Sequence, residues 1–225
     1  MSWILARKKL LFSRKPANVA YAGNATASVG GNPHTFSSVA IGTAAVDRYV
    51  IVAVAIRKQN QAGQAGATAV TVAGTACTQI GSSVQSDSNH LSLWRTNSPI
   101  TSGTTANIAV THVNTYNNLG VAAWAVTGLQ SVTPTDTDST TTDAASVTST
   151  VSAGGIIVAA AYSVGLSAGT HTWTGVTEDF DSLSVGASGS VSGGSLNSPG
   201  GGNISVSADG TQTGSAFMMI AASFR

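Results

Sequence analysis

The side chains of this chain that could do chemistry are few and scattered. Nine Asp or Glu, ten Lys or Arg, four His and one Cys are spread over 225 residues. Asp136-Thr137-Asp138 brings two hard oxygen donors close together, the donor type a calcium ion takes. No turn glycine and no closing Glu follow it, so the run reads as a solvated acidic segment. Glu178-Asp179-Phe180-Asp181 offers neighbouring carboxylates, the groups that glycoside hydrolysis uses, but chain order does not set their separation. His34, His90, His112 and His171 share no i, i+2 or i, i+4 spacing of a metal site. Cys77 lies between Ala76 and Thr78 as a small buried strand residue would, and a lone cysteine makes no internal disulfide. No Gly-x-Ser-x-Gly elbow sits on a strand-to-helix turn. The glycine runs 186–189 and 200–202 open no helix that could cradle a phosphate. The sequence therefore offers no catalytic residues, no metal ligands and no cofactor site, and an enzyme is not expected.

Aromatic side chains supply the remaining candidate chemistry. Trp94 beside Arg95, and Trp173 near His171, could stack on sugar rings if their faces are exposed, with the core as the alternative place for both indoles. Trp124 lies within an apolar run and belongs to the core.

These residues must be positioned by strands. Asp47-Arg-Tyr-Val-Ile-Val-Ala-Val-Ala-Ile-Arg-Lys58 is a short Val/Ile-rich run with charge at both ends, too short to span a bilayer. It predicts a strand covered on both faces. Leu119–Val126, Gly155–Tyr162 and Ala216–Phe224 repeat its character. Ala69–Gly74, His90–Arg95, Ala106–His112 and Ser146–Val151 alternate apolar and polar residues, the period of a half-buried strand. Turn residues separate them, as at Gly30-Gly-Asn-Pro33 and Asn97-Ser-Pro99. No amphipathic helical pattern follows residue 16, so the sheets must cover one another. The expected fold is all-β, an antiparallel β-sandwich of jelly-roll type over 17–225. Its two halves are joined by an exposed connection over 130–145. A weak echo links the halves: Tyr49–Ile56 leads to Ala69–Gly74 as Gly155–Tyr162 leads to Thr170–Gly175.

Residues 1–16 differ from everything after them. Arg7, Lys8, Lys9, Arg14 and Lys15 are half of all basic residues, interleaved with Trp3, Ile4, Leu10, Leu11 and Phe12. The rest of the chain carries five basic against nine acidic side chains, a net charge of −4. The apolar run before Arg7 is too short for a signal peptide, and the charges follow it. A membrane-surface helix would need a cleaner separation of apolar and basic residues, and a nucleic-acid arm remains a formal alternative. The favoured reading is an anchor that docks on a partner protein through Trp3, Ile4, Arg7, Lys8, Leu11, Phe12, Arg14 and Lys15, with neither nucleic acid nor a membrane span involved. Charged residues make up only 8% of the chain, far below the usual quarter or so. A surface that poor in charge suits a subunit covered by neighbours, which implies a homo-oligomer within an assembly.

The succession Val70-Thr-Val-Ala-Gly74, Leu91-Ser-Leu-Trp-Arg95, Ile108-Ala-Val-Thr-His112 and Gly120-Val-Ala-Ala-Trp-Ala-Val-Thr-Gly-Leu129 resembles small β-sandwich virion proteins of tailed bacteriophages and related gene-transfer particles. The resemblance covers about Asp47 to Leu129. It implies a structural part of a virion: a tail-tip or baseplate component, a head decoration, or a host-binding appendage. The alternative reading is a carbohydrate-binding module for host-surface polysaccharide, with Trp94, Arg95, His171 and Trp173 as its candidate residues.

Overall fold

The computed structural model describes residues 15–28, 31–57, 66–85, 89–112, 118–165, 169–198, 200–210 and 216–225. Strands account for every regular element among them. The first eight are β1 (Asn18–Ala27), β2 (His34–Ala40), β3 (Tyr49–Arg57), β4 (Ala67–Val72), β5 (Thr75–Gln85), β6 (Asn89–Thr96), β7 (Thr105–His112) and β8 (Asn118–Thr127). They pair in the order β1-β8-β3-β6-β5-β4-β7-β2, all antiparallel. This is a jelly roll: β1-β8-β3-β6 forms one sheet, β2-β7-β4-β5 the other, and β5 joins them. The roll is nearly closed, because a Cβ on Gly23 of β1 would lie 3.0 Å from Ala40 Cβ of β2.

The second eight are β9 (Asp136–Thr140), β10 (Ser146–Val151), β11 (Gly155–Val164), β12 (His171–Thr174), β13 (Thr177–Ser184), β14 (Gly189–Ser198), β15 (Gly202–Gly210) and β16 (Ala216–Phe224). Their sheets run β13-β14-β11-β16-β9 and β10-β15-β12. Taken in chain order, β9 to β16 occupy the places of β1 to β8. The chain is thus two jelly rolls of one topology, differing in that β4 bonds to β5 whereas β12 and β13 belong to separate sheets. The sequence echo falls on equivalent elements, β3 to β4 and β11 to β12. Sequence matches follow once the strands are aligned. Asn97-Ser-Pro99, just after β6, answers Asn197-Ser-Pro199, which overlaps the end of β14, and Asn107-Ile-Ala-Val110 in β7 answers Asn203-Ile-Ser-Val206 in β15.

Three apolar layers hold this arrangement. Inside the first roll lie Val50, Val52, Val54, Ile56, Val70, Val72, Trp94, Ile108, Val110, Leu119 and Val121. Inside the second lie Val147, Val151, Ile157, Ala159, Val206, Phe217 and Met219. Between the rolls lie Ile51, Ala53, Leu91, Leu93, Trp124 and Val126, facing Ile156, Val158, Tyr162, Met218, Ile220 and Phe224. The four Val/Ile-rich runs are β3, β8, β11 and β16, each between a roll interior and the roll–roll interface. That double coverage is why they carry apolar residues on both faces.

The interface is not a two-fold one, since β16 packs closely on β5 and β6 whereas the equivalent β8 has no matching backbone approach to β13 and β14. One pair is reciprocal, β1 packing on β13 and β5 on β9. Trp124, fully buried, donates its indole N–H to Asp179 at 2.7 Å. Tyr21 stacks on Phe180 at 5.1 Å beside it. Gly193 makes room for this cluster, since a Cβ there would lie 2.6 Å from Trp124 Cζ2. The 130–145 stretch is more than a connection: Asp136–Thr140 pairs with β16 as the edge strand of the central sheet. Its acids suit an edge, where charge discourages further strand pairing, and Asp136 accepts from Thr150 N–H at 2.8 Å.

Candidate functional site

Contacts between the rolls bring their strand ends together at two poles. At the first pole Ala17 N–H bonds to Gly154 O at 2.8 Å, tying the chain entry to the second roll. Gln130 and Ser131 N–H both bond to Arg225 O, at 2.7 and 2.9 Å. Chain entry, inter-roll connection and last residue therefore gather here. Arg48, fully buried, fixes the adjacent loops of the first roll. It donates to Ile100 O at 3.0 Å, Gly42 O at 2.6 Å, Gly103 O at 2.9 Å and Ser102 O at 2.8 Å. Asp47 accepts from Gly128 N–H at 2.9 Å and lies 3.8 Å from Lys15 Nζ. That ion pair is exposed and contributes little to stability. Val46 is 84% exposed at the same pole. A largely apolar groove lined by Pro16, Ala17, Gly154 and Asn197 opens beside it.

The strand ends that flank 28–33, 58–66, 86–88 and 113–117 lie at the opposite pole, with those flanking 141–145, 165–170, 185–188 and 211–215 of the second roll. One bond and one close approach fix the alignment. Ser83 donates to Thr140 O at 3.1 Å, and a Cβ on Gly186 would meet the Asn118 side chain. By sequence these connections hold only Lys58, Asp87 and Asp143 as charged residues. Gln59, Asn60, Gln61, Gln64, Asn114, Asn117 and Gln212 provide amides, with Thr and Ser between them.

Of the expected docking residues, Trp3, Ile4, Arg7, Lys8, Leu11, Phe12 and Arg14 lie outside the described residues, and Lys15 is exposed at the first pole. The sugar-stacking set is not assembled. Trp94 is 4% exposed and points into the first roll, donating to Ser92 Oγ at 2.9 Å, so it has no free face for a ring. Arg95 is 7% exposed, donates to Thr96 O at 2.7 Å and lies over the Tyr49 ring at 5.7 Å. His171 is buried in the second roll, and Trp173 lines that roll's interior with its indole N–H on Ser192 Oγ at 3.1 Å. Both faces of β6 are covered, one by its own roll and one by the second, which buries all eight of its residues.

Two features emerge only in three dimensions. His171 Nδ1 lies 3.5 Å from Asp181, whose carboxylate also accepts from the His171 backbone N–H. Asp143, bonded to Gly210 N–H at 2.9 Å, and Asp209 stand nearby. Burial pushes the imidazole below the ordinary histidine value, against the pull of these three carboxylates. Burial likewise raises Asp179, opposed by its bond from Trp124, and pushes the Cys77 thiol up to about 12, which keeps it protonated. Asp179 and Asp181 thus go to different partners. Among the described residues no group of three or more His, Cys, Asp or Glu is placed to hold a metal ion.

The second feature is a cavity of about 260 Å³ in the first roll. β4 and β5 pair only at Thr71↔Ala76 and Val72↔Thr75, next to the Ala73-Gly74 turn, and then splay. β4 continues along β7 to Ala67↔His112, and β5 along β6 to Gln85↔Asn89. The wedge between them is lined by Ala67, Gln79, Ser82, Val84, His90 and Ser92, near the loop-bearing pole. Alternation along β6 sets His90 and Ser92 on one face, but nothing in the sequence revealed the bulge between Gln79 and Gly81 that brings Gln79 to the side of Ser82 and Val84, or that β4 leaves β5. The chain matches no protein-family model and no curated protein sequence.

Proposed function

We propose that the protein is a structural subunit of a virion, of the tailed-phage or gene-transfer-particle kind. It would serve as a tail-tip or baseplate component, a head decoration or a host-binding appendage. Residues 1–14 dock on a neighbouring virion protein, and the amide-rich connections of the far pole face outward or toward sister subunits. The observation that carries this reading is the separation of the two poles. Pro16 and Ala17 are fixed where the chain ends gather, so the basic, apolar arm leaves from the pole opposite the loops. A covered subunit also accounts for a surface so poor in charge, since neighbours replace the solubility that charge would provide. A density map of purified particles tests the proposal. Residues 1–14 should lie against a different polypeptide, with Val46 and the Pro16 groove at the contact. An arm free in solvent, or folded against its own rolls, would overturn it.

A further inference from the structure

We propose that the wedge between β4 and β5 is a binding site for one neutral sugar ring, the terminal residue of a glycan. The duplication supplies the first argument. The matched Asn-Ile-x-Val segments make His112 of β7 equivalent to Ala208 of β15. Ala67 pairs with His112, and Trp173 pairs with Ala208, so Ala67 stands where the second roll has Trp173. The Asn-Ser-Pro match likewise makes Ser92 equivalent to Ser192. In the second roll the Trp173 indole fills this place and donates to Ser192. In the first roll Trp94 of β6 supplies the indole that bonds to Ser92, a methyl group stands at position 67 on β4, and a cavity of about 260 Å³ is open beside them. The second roll brings this ring from β12 and fills the seam, whereas the first brings it from β6 and leaves the seam between β4 and β5 open.

The walls select the ligand. Gln79 and Ser82 offer amide and hydroxyl groups that both donate and accept, while Ala67 and Val84 offer apolar surface. Among the described residues no carboxylate, ammonium or guanidinium lines the cavity, so none of them would pair a charged ligand. A pyranose has this mixed character, with polar edges and apolar C–H faces. The wedge is blind at the Ala73-Gly74 turn, so a polymer cannot thread it and a terminal residue can enter. Val84, 48% exposed, stands at the rim as an apolar contact for the ring. Gly66 keeps the rim open, because a Cβ there would lie 3.1 Å from His90 Cβ.

The test is a titration of the full chain with neutral hexoses and N-acetylhexosamines, followed by saturation-transfer NMR. A single ring held by a few hydrogen bonds should bind with a Kd on the order of 1 mM. Ala67→Trp rebuilds the second roll's plug and should weaken binding at least tenfold while the melting temperature holds or rises. Ser82→Phe, a block at an exposed rim position, should do the same and guards against misfolding of the first variant. No binding by any neutral sugar, wild-type affinity in both variants, or capture of an aromatic peptide instead of a sugar would overturn the proposal. Particle incorporation is a separate readout, so failure here leaves the structural-subunit reading standing and the reverse also holds.

Discussion

Replacing Arg48 by Met should unfasten the first pole. The guanidinium donates to four backbone carbonyls, which hold 99–103 against 42–48. A hydrogen bond from a charged donor is worth about 1.5–3 kcal/mol when buried. The bond to Ile100 O is of this kind, since both residues are buried. The other three accept at partly exposed sites where water can replace the donor, so each counts for about 0.5–1 kcal/mol. Met keeps most of the side-chain volume, which limits the cavity term. The loss is about 3–6 kcal/mol, a fall in Tm of roughly 6–24 °C for a chain of this size. Thermal unfolding followed by far-UV circular dichroism reads it directly. A Tm within 2 °C of wild type would mean that the four bonds are replaceable by solvent and that Arg48 does not organise this pole.

Other outcomes follow from the same geometry. His171 is held below its ordinary value of 6.5 by burial, so below pH 6.5 the unfolded chain takes up a proton that the native chain resists. Stability contributed by the neutral imidazole is full above that pH and falls as pH drops, against the partial relief offered by Asp181, Asp143 and Asp209. His171→Asn should flatten urea-derived stability between pH 6.5 and 5. His34, also lowered by burial, keeps some slope of the same sign, and an unchanged curve would contradict the assignment. Gly175→Ala should destabilise by about 2–4 kcal/mol, through left-handed strain and overpacking. Its φ is +85° and its Cβ would lie 2.0 Å from Ser205 O; a neutral effect in denaturant titration would contradict the turn geometry.

Sequence patterns revealed much of this fold, because strand chemistry is local. The Val/Ile runs in β3, β8, β11 and β16 and the turns at Gly74 and Gly175 mark strands and their limits without tertiary information. The duplication was legible at first only between β3–β4 and β11–β12; the short Asn-Ser-Pro and Asn-Ile-x-Val matches stand out only once the strands are aligned, since most equivalent strands share a pattern of exposure and not residue identity. Trp94 shows where the reasoning fails. Alternation correctly sets it opposite Leu91 and Leu93, but cannot tell that a second roll covers the Leu face while the first encloses the Trp face. Asp136–Thr140 has a solvated composition because it is an edge strand, where polarity does not oppose pairing. The wedge by Ala67 was invisible for a different reason. It is a missing side chain, legible only against Trp173 once the registers are matched.

The most direct test compares the full chain with residues 15–225 in particle assembly. Both chains, carrying the same C-terminal tag, are supplied during particle production, and purified particles are probed for the tag. Pro16 and Ala17 are retained because they pack on the rolls. The shortened chain should keep its β circular dichroism spectrum and Tm, yet be absent from particles that incorporate the full chain. Equal incorporation of the two chains would contradict an anchored subunit.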